Sequence, residues 1–272
     1  MKKKVALTIA GSDPSGGAGI QQDIRVFTCL KVYSCAAITA ITIQNSLGVK
    51  RVVPIEPDIL KAQVEALLDD FTPDCLKLGM LATKENVLAL KRLLGRVKNV
   101  PVVADPVMLS KNGSVLLSEE ARASYIKELF PLIDIITPNL NEAQELSNKL
   151  ITDISSMKEA GLIILDLMQK GRTSPFKPLV VLKGGHLDHK DESIDLICTE
   201  QEIFEIRAKR IKNINSHGTG CTFSSAICAY VAKGQDFIEA IKLSKEFVTG
   251  AIRAGFKLGH GIGPVDPMFF IN

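Results

Sequence analysis

No stretch of this 272-residue chain approaches the roughly 18 consecutive apolar residues of a membrane-spanning helix. The opening, MKKKVALTIAGSD, is basic. Only six largely apolar residues precede Gly11, Ser12 and Asp13, too few for the core of a signal peptide. Six cysteines occur without a Cys-x-x-Cys pair and without metal-ligand spacing to the four histidines. Most of them sit within apolar runs, which predicts reduced, buried thiols. Charge is not concentrated either: the net value is +3, with no basic stripe and no acidic or basic tail. The phosphate-loop pattern Gly-x-x-x-x-Gly-Lys-Ser/Thr is missing, and GSDPSGGAG (11–19) fails the Gly-x-Gly-x-x-Gly dinucleotide spacing, with Pro14 interrupting the turn. These absences predict a soluble, cytoplasmic protein with no membrane or nucleic-acid partner.

What is present is ordinary globular composition, 46% hydrophobic and 23% charged. A chain of this length can bury roughly three quarters of its unfolded surface without staples. No linker, repeat or low-complexity segment interrupts it, so residues 1–272 are expected to form a single domain. Apolar runs alternate with amphipathic segments: strands are predicted at 5–11, 36–44, 75–81, 100–107, 133–139 and 178–185. Helices are predicted at 19–32, 58–70, 83–97, 118–129, from 139, and at 155–170, 219–233 and 236–254. VKRVVPI (49–55) is a short extended piece, and 193–210 alternates like an antiparallel pair. Continuous apolar strands imply helices on both faces of a parallel sheet. A barrel needs eight strand–helix units, whereas six are followed here by a hairpin and two successive helices. The expected fold is a three-layer α/β/α arrangement: a mostly parallel open sheet with a small antiparallel edge element.

In such a sheet ligands sit at the carboxyl ends of the strands. Glycine and polar signals collect there: GSDPSGGAG, QNS, LGM, DPV, TPNLNEAQE and KGGH. Each alone is consistent with loop punctuation; their joint placement is the signal. Glycines at 11–19 let backbone approach a small ligand. Asp23 either points back at that ligand or is a solvated first-turn carboxylate. Asp105, Asn139 and Glu142, meeting at adjacent strand ends, suit a hydrated Mg²⁺, although Glu142 alone also reads as a helix-start carboxylate. Lys183 is a point charge suited to phosphate. The most specific element is HGTGCTFSSA: Gly218 and Gly220 free backbone N–H groups at a helix start to face one anion. The competing reading is a glycine turn that merely caps a helix.

Several segments together resemble the ribokinase superfamily, and within it the hydroxymethylpyrimidine/phosphomethylpyrimidine kinases of thiamine biosynthesis. They are TIAGSDPSGGAGIQQD, TAITIQNSLGV, LKLGML, ADPVMLSKNG, ITPNLNEAQEL, VVLKGGH, HGTGCTFSSAI and GHGIGPV. Departures are small: Ser46 for a more usual threonine, and Asn141 and Gln144 where proline and alanine are frequent. The resemblance implies a ribokinase-like kinase that uses ATP and Mg²⁺ on the pyrimidine alcohol and then on its monophosphate. It implies Gln44 on the ring nitrogen and amino group, with Asp23, Met80, Val107 and the backbone near Gly11 completing the substrate pocket. Asp105, Asn139 and Glu142 would organise metal and phosphates with Lys183 nearby, and Gly218, Thr219, Gly220 and Cys221 would form the anion hole. The loop after Lys183, including Gly185, and the segment 257–264 would border adenine.

Many superfamily members carry aspartate where Cys221 stands. A helix start lowers a thiol pKa, whereas nearby ATP raises it, and a loose phosphoryl-transfer transition state needs little help from a base. Two roles therefore stand for Cys221, acceptor positioning or proton acceptance, with positioning favoured. Pyridoxal phosphorylation and a non-catalytic pyrimidine- or nucleotide-binding role are the competing functions. The resemblance further implies a homodimer, and Lys111–Val115 or 186–192 are the candidate lids.

Overall fold

Continuous apolar runs become strands covered on both faces, and their amphipathic partners become the covering helices. In the computed structural model the described residues are 2–108, 116–185, 187 and 191–271. The first half runs β1 (Val5–Ser12), α1 (Gly19–Cys29), β2 (Tyr33–Asn45), β3 (Gly48–Pro54), α2 (Pro57–Asp70), β4 (Cys75–Leu78) and α3 (Lys84–Leu94). Next come β5 (Val102–Ala104), α4 (Glu119–Glu128), β6 (Ile135–Ile136), α5 (Leu140–Ser147), α6 (Ile154–Gln169) and β7 (Leu179–Leu182). The hairpin β8 (Glu192–Cys198) and β9 (Ile203–Lys209) leads to α7 (Thr219–Ala232) and α8 (Phe237–Arg253).

Among the described residues the strands form one sheet in the order β3-β2-β1-β4-β5-β6-β7-β8-β9. The pairs from β2 through β7 are parallel, while β3, β8 and β9 pair antiparallel. The three-layer open sheet is as expected, with one correction. Antiparallel strands stand at both ends, because VKRVVPI folds back on β2 as an edge strand. Two strands are shorter than their apolar runs suggest. β5 is flanked by Pro101 and Pro106, and β6 is followed by Pro138; none of these prolines has an N–H for the ladder.

Alternation along each central strand splits the core in two. Leu7, Ile9, Leu76, Leu78, Val102, Ala104, Val180 and Leu182 join the cluster under α2 to α6. Ala6, Cys75, Val103, Ile135, Leu179 and Val181 join the cluster under α1, α7 and α8. α7 is buried around most of its circumference, packed by α1 and α8 against the sheet. That packing fixes where its first turn points. All six cysteines are free; Cys29, Cys75, Cys198 and Cys228 are buried, and Cys35 and Cys221 are half-buried. No helix among the described residues is long and apolar enough to cross a membrane.

Candidate active site

One cavity of ≈ 420 Å³ opens where the parallel strands end and α7 begins. Its wall takes Gly11 from β1, Gln44 from β2, Met80 and Val107 from the turns after β4 and β5, and Asp105. Asn139, Glu142, Lys183, Gly218, Thr219, Gly220 and Cys221, all expected from sequence, line it as well. Residues spread over more than 200 positions thus meet around one space, as the strand-end placement predicts.

The anion turn is built by backbone geometry. Gly218, the cap of α7, has φ +81°, and a Cβ there would run into the Gly17 carbonyl oxygen. The first intrahelical bond runs from the Thr222 N–H to the Gly218 carbonyl at 2.8 Å. The Gly220 and Cys221 N–H groups precede it and face the cavity end of the helix dipole. A Cβ on Gly220 would stand 3.2 Å from Asp105 Oδ2 and 3.4 Å from Lys183 Nζ, so the missing side chain leaves room beside that pair. Gln22 donates to Thr222 Oγ1 at 2.8 Å and ties α1 to α7.

Facing this turn, Lys183 Nζ lies 2.8 Å from Asp105 Oδ1. Burial alone would lower the lysine pKa, but Asp105 and Glu142 outweigh it and hold the ammonium charged. Asn139 caps α5 in a reciprocal box: the Glu142 N–H donates to Asn139 Oδ1 at 2.9 Å, and the Asn139 N–H donates to Glu142 Oε2 at 2.8 Å. Burial pushes the Glu142 carboxyl up to about 7; Lys183 opposes that and the Asp105 charge adds to it.

Cys221 lines the cavity. Burial raises its thiol to about 12; Lys77 pulls the other way, while Asp23 and Asp105 push up further. The thiol is therefore protonated at neutral pH, and its helix-start position does not prevail. With no base lost, Cys221→Ala is expected to lower kcat by less than the roughly 10²-fold that removal of a general base costs. Its kcat–pH profile between pH 6 and 9 should overlay that of the unaltered protein. A profile that loses an ionisation in the variant would identify Cys221 as the base.

Two expected site residues lie elsewhere. Asp23 is fully buried beneath the cavity, bound to Lys77 Nζ (2.8 Å), Thr8 Oγ1 (2.6 Å) and Ser225 Oγ (2.7 Å). It is neither a solvated carboxylate nor a wall residue. Gly185 is outside the cavity lining; its carbonyl accepts from Arg210 Nη1 at 2.6 Å. The segment 257–264 packs on the turn after Gln44, where the Gly261 N–H donates to Ser46 Oγ and the Ile262 N–H to the Ser46 carbonyl. The same segment also pairs with the residue before the anion turn, where the His217 N–H donates to the Gly263 carbonyl at 3.0 Å, so it spans from the turn after Gln44 to the start of α7. Of the lid candidates, 111–115, His186 and 188–190 lie outside the described residues.

Three ionisable wall residues were not singled out from sequence. Asp13 Oδ2 lies 2.9 Å from His217 Nε2 and also accepts the Ala18 N–H, clasping the 11–19 loop to the anion turn. Burial works to raise the Asp13 pKa, but hydrogen bonds from His217 and Ser15 outweigh it and leave the carboxyl below its ordinary value. The third is Lys77, whose only sequence signal is a cation inside the apolar run CLKLGML.

A strand-end cavity with an uncapped glycine turn at a helix start, opposite a lysine–aspartate pair, defines a small-molecule kinase of the ribokinase-like class. Comparison with known proteins narrows that class. The profile of the phosphomethylpyrimidine kinase family matches residues 13–266, and the chain belongs to that family. A hydroxymethylpyrimidine/phosphomethylpyrimidine kinase of Staphylococcus aureus strain Mu50 is 34% identical over 273 residues, covering 100% of this chain and 96% of that protein. Among solved structures, S. aureus pyridoxal kinase in complex with AMP-PCP and pyridoxal has a TM-score of 0.87 at 35% identity, covering 98% of this chain and 94% of that one. Clostridium difficile phosphomethylpyrimidine kinase has a TM-score of 0.78 at 40% identity, covering 92% and 100%.

Proposed function

We propose that this chain transfers the γ-phosphoryl group of ATP to the hydroxymethyl oxygen of 4-amino-5-hydroxymethyl-2-methylpyrimidine, and then to the resulting monophosphate. The observation that carries this reading is one cavity lined both by Gln44 and by the Gly218–Cys221 turn with Lys183 and Asp105 beside it, in a chain of this family. The Gln44 amide both donates and accepts, which matches a ring nitrogen beside an amino group. Gly11, Met80 and Val107 pack the ring faces. The Gly220 and Cys221 N–H groups meet the oxygens over which the transferring group spreads its charge. Cys221, as a thiol, steers the acceptor hydroxyl into line. Lys183 and Asn139 take the ATP phosphates.

Asp105 and Glu142 are hard oxygen donors beside that phosphate position. Among the described residues no group of three or more His, Cys, Asp or Glu side chains can hold a metal. The donor set therefore suits an ion that keeps waters and shares substrate phosphates, as Mg²⁺ does. Asp105 and Glu142 would hold such an ion, which would supply charge neutralisation to the phosphates.

Pyridoxal is the second reading, favoured by the likeness to solved pyridoxal kinases. ADP release with the pyrimidine alcohol, its monophosphate and pyridoxal as acceptors tests both. The expected order of kcat/KM places the pyrimidines first. Higher kcat/KM for pyridoxal would reverse the assignment, and no release with any acceptor would leave a non-catalytic binder.

The working protein is a homodimer in this reading. Ile41, Ile43, Leu47 and Val53 are exposed on the β2–β3 edge ribbon, an apolar face that a second copy can cover. Light scattering should give the mass of two 29.5 kDa chains, and Ile43→Glu with Val53→Lys should give one. A single-chain mass for the unaltered protein would remove the dimer.

A further inference from the structure

Lys77 is a cation within the central strand β4 that also reaches the cavity, and its surroundings are specific. Its side chain is fully buried in β4, yet it belongs to the cavity lining. Its ammonium carries three donors. Asp23 Oδ2 takes one at 2.8 Å, and no other hydrogen bond from this group is present among the described residues. Room for it comes from Gly79, where a Cβ would lie 2.9 Å from Lys77 Nζ.

Asp23 in turn is held by two hydroxyl donors, Thr8 Oγ1 at 2.6 Å and Ser225 Oγ at 2.7 Å. Ser225 lies one helical turn after Cys221, on the same face of α7. Cys221 and Lys77 line the same cavity, and Ser225, one turn on from Cys221, holds Asp23 beneath it. The lysine charge draws down the cysteine pKa, against burial and the charges of Asp23 and Asp105.

A buried ion pair is a weak source of stability, since apolar residues of similar volume often do as well. A pair retained under an active-site floor has an alternative use, a fixed charge in a dry site. Resting on the kinase reading above, we propose that Lys77, held in place by Asp23, supplies the positive charge that stabilises the acceptor oxygen as it attacks the γ-phosphorus. In that step the acceptor oxygen–phosphorus bond forms and the bond to the ADP oxygen breaks. The hydroxyl proton passes to a phosphoryl oxygen or to water. Negative charge on the acceptor oxygen rises as its proton departs, and a fixed cation in the cavity wall lowers the barrier without itself exchanging a proton. Asp23 thereby acts through Lys77, which explains why a carboxylate near the acceptor end is buried below the wall instead of standing in it.

The test compares Lys77→Met, Asp23→Asn and the double variant Lys77→Met/Asp23→Asn with the unaltered protein. Lys77→Met is expected to lower kcat about 10²-fold with KM for ATP within about threefold, the pattern of a group acting in the transition state. The double variant removes both charges while keeping an acceptor for Thr8 and Ser225. It should melt closer to the unaltered protein than Lys77→Met does, yet stay as slow. If it instead regains the unaltered kcat, Lys77 merely balances Asp23 and the proposal fails. A second readout needs no acceptor: iodoacetamide labelling of Cys221, followed by peptide mass spectrometry, reports the local charge. Labelling should be several-fold faster in Asp23→Asn and several-fold slower in Lys77→Met. Equal labelling in all variants would remove the charge effect. Should none of the three acceptors be phosphorylated, the kinase reading falls, and the labelling order still decides whether Lys77 sets the charge at Cys221.

Discussion

Gly218→Ala is expected to lower phosphoryl transfer by about 10²-fold or more, the scale of losing one preorganised anion donor. The backbone at Gly218 is left-handed, at φ +81°. An alanine there carries a conformational cost of roughly 1–2 kcal/mol. The added methyl also collides with the Gly17 carbonyl oxygen, so the anion turn and the 11–19 loop must separate. Gly17 in turn faces the His217 ring, whose bond to Asp13 clasps the same two loops. One methyl group thus disturbs both the phosphate end and the acceptor end. Gly234→Ala is the matched control. Gly234 has φ +91° beyond the other end of α7, and nothing lies within 4 Å of a Cβ placed there. Its alanine variant should lose comparable stability by thermal melting and keep its turnover. Equal turnover in the two variants would show that strain, and not the geometry of the anion turn, governs the effect.

The fold was largely readable from the alternation of apolar runs and amphipathic segments, because a sheet buried on both faces demands uninterrupted Val, Ile, Leu and Ala. Boundaries failed where hydrogen bonding, not hydrophobicity, ends a strand. Pro106 and Pro138 stand two residues past the ends of β5 and β6 and offer no N–H to continue the ladder. VKRVVPI was ambiguous because an edge strand with Lys50 and Arg51 exposed carries no clean buried pattern. For the site, loops at strand ends were legible as a set, since topology alone brings Gly11, Gln44, Asp105, Asn139 and Lys183 to one rim. Side-chain direction was not. Asp23 turned inward because Lys77 offered a buried counter-charge, a pairing across 54 positions that no local spacing reveals. The Asp13–His217 clasp, across 204 positions, was hidden in the same way. Cys221 is the case in which chemistry mattered more than position. The helix start argues for an acidic thiol, but burial together with Asp23 and Asp105 prevails over Lys77.

Lys183→Met is the second substitution with a large expected effect, and its signature lies in pH as well as rate. Lys183 Nζ stands 2.8 Å from Asp105 Oδ1, and Asp105 and Glu142 are both buried. Removing one partner of a buried pair costs about 3–5 kcal/mol, because the other charge remains without compensation. Transfer should fall about 10²- to 10³-fold through loss of the phosphate-facing charge. Burial already pushes Glu142 up to about 7, held there against the further push of Asp105 by Lys183. Without the lysine that carboxyl rises again. A folded-state pKa above the unfolded value of about 4.3 gives stability that is complete below that value and lost as pH rises through the folded pKa. The melting temperature of Lys183→Met should therefore fall further behind the unaltered protein as pH rises from 6 to 8.5. Adding Glu142→Gln removes the titrating group and should flatten that divergence without restoring turnover, since the charge facing the phosphates is still missing. A pH-independent gap, or turnover within tenfold of the unaltered protein, would make the lysine a packing residue and return the phosphate role to the N–H groups of α7 alone.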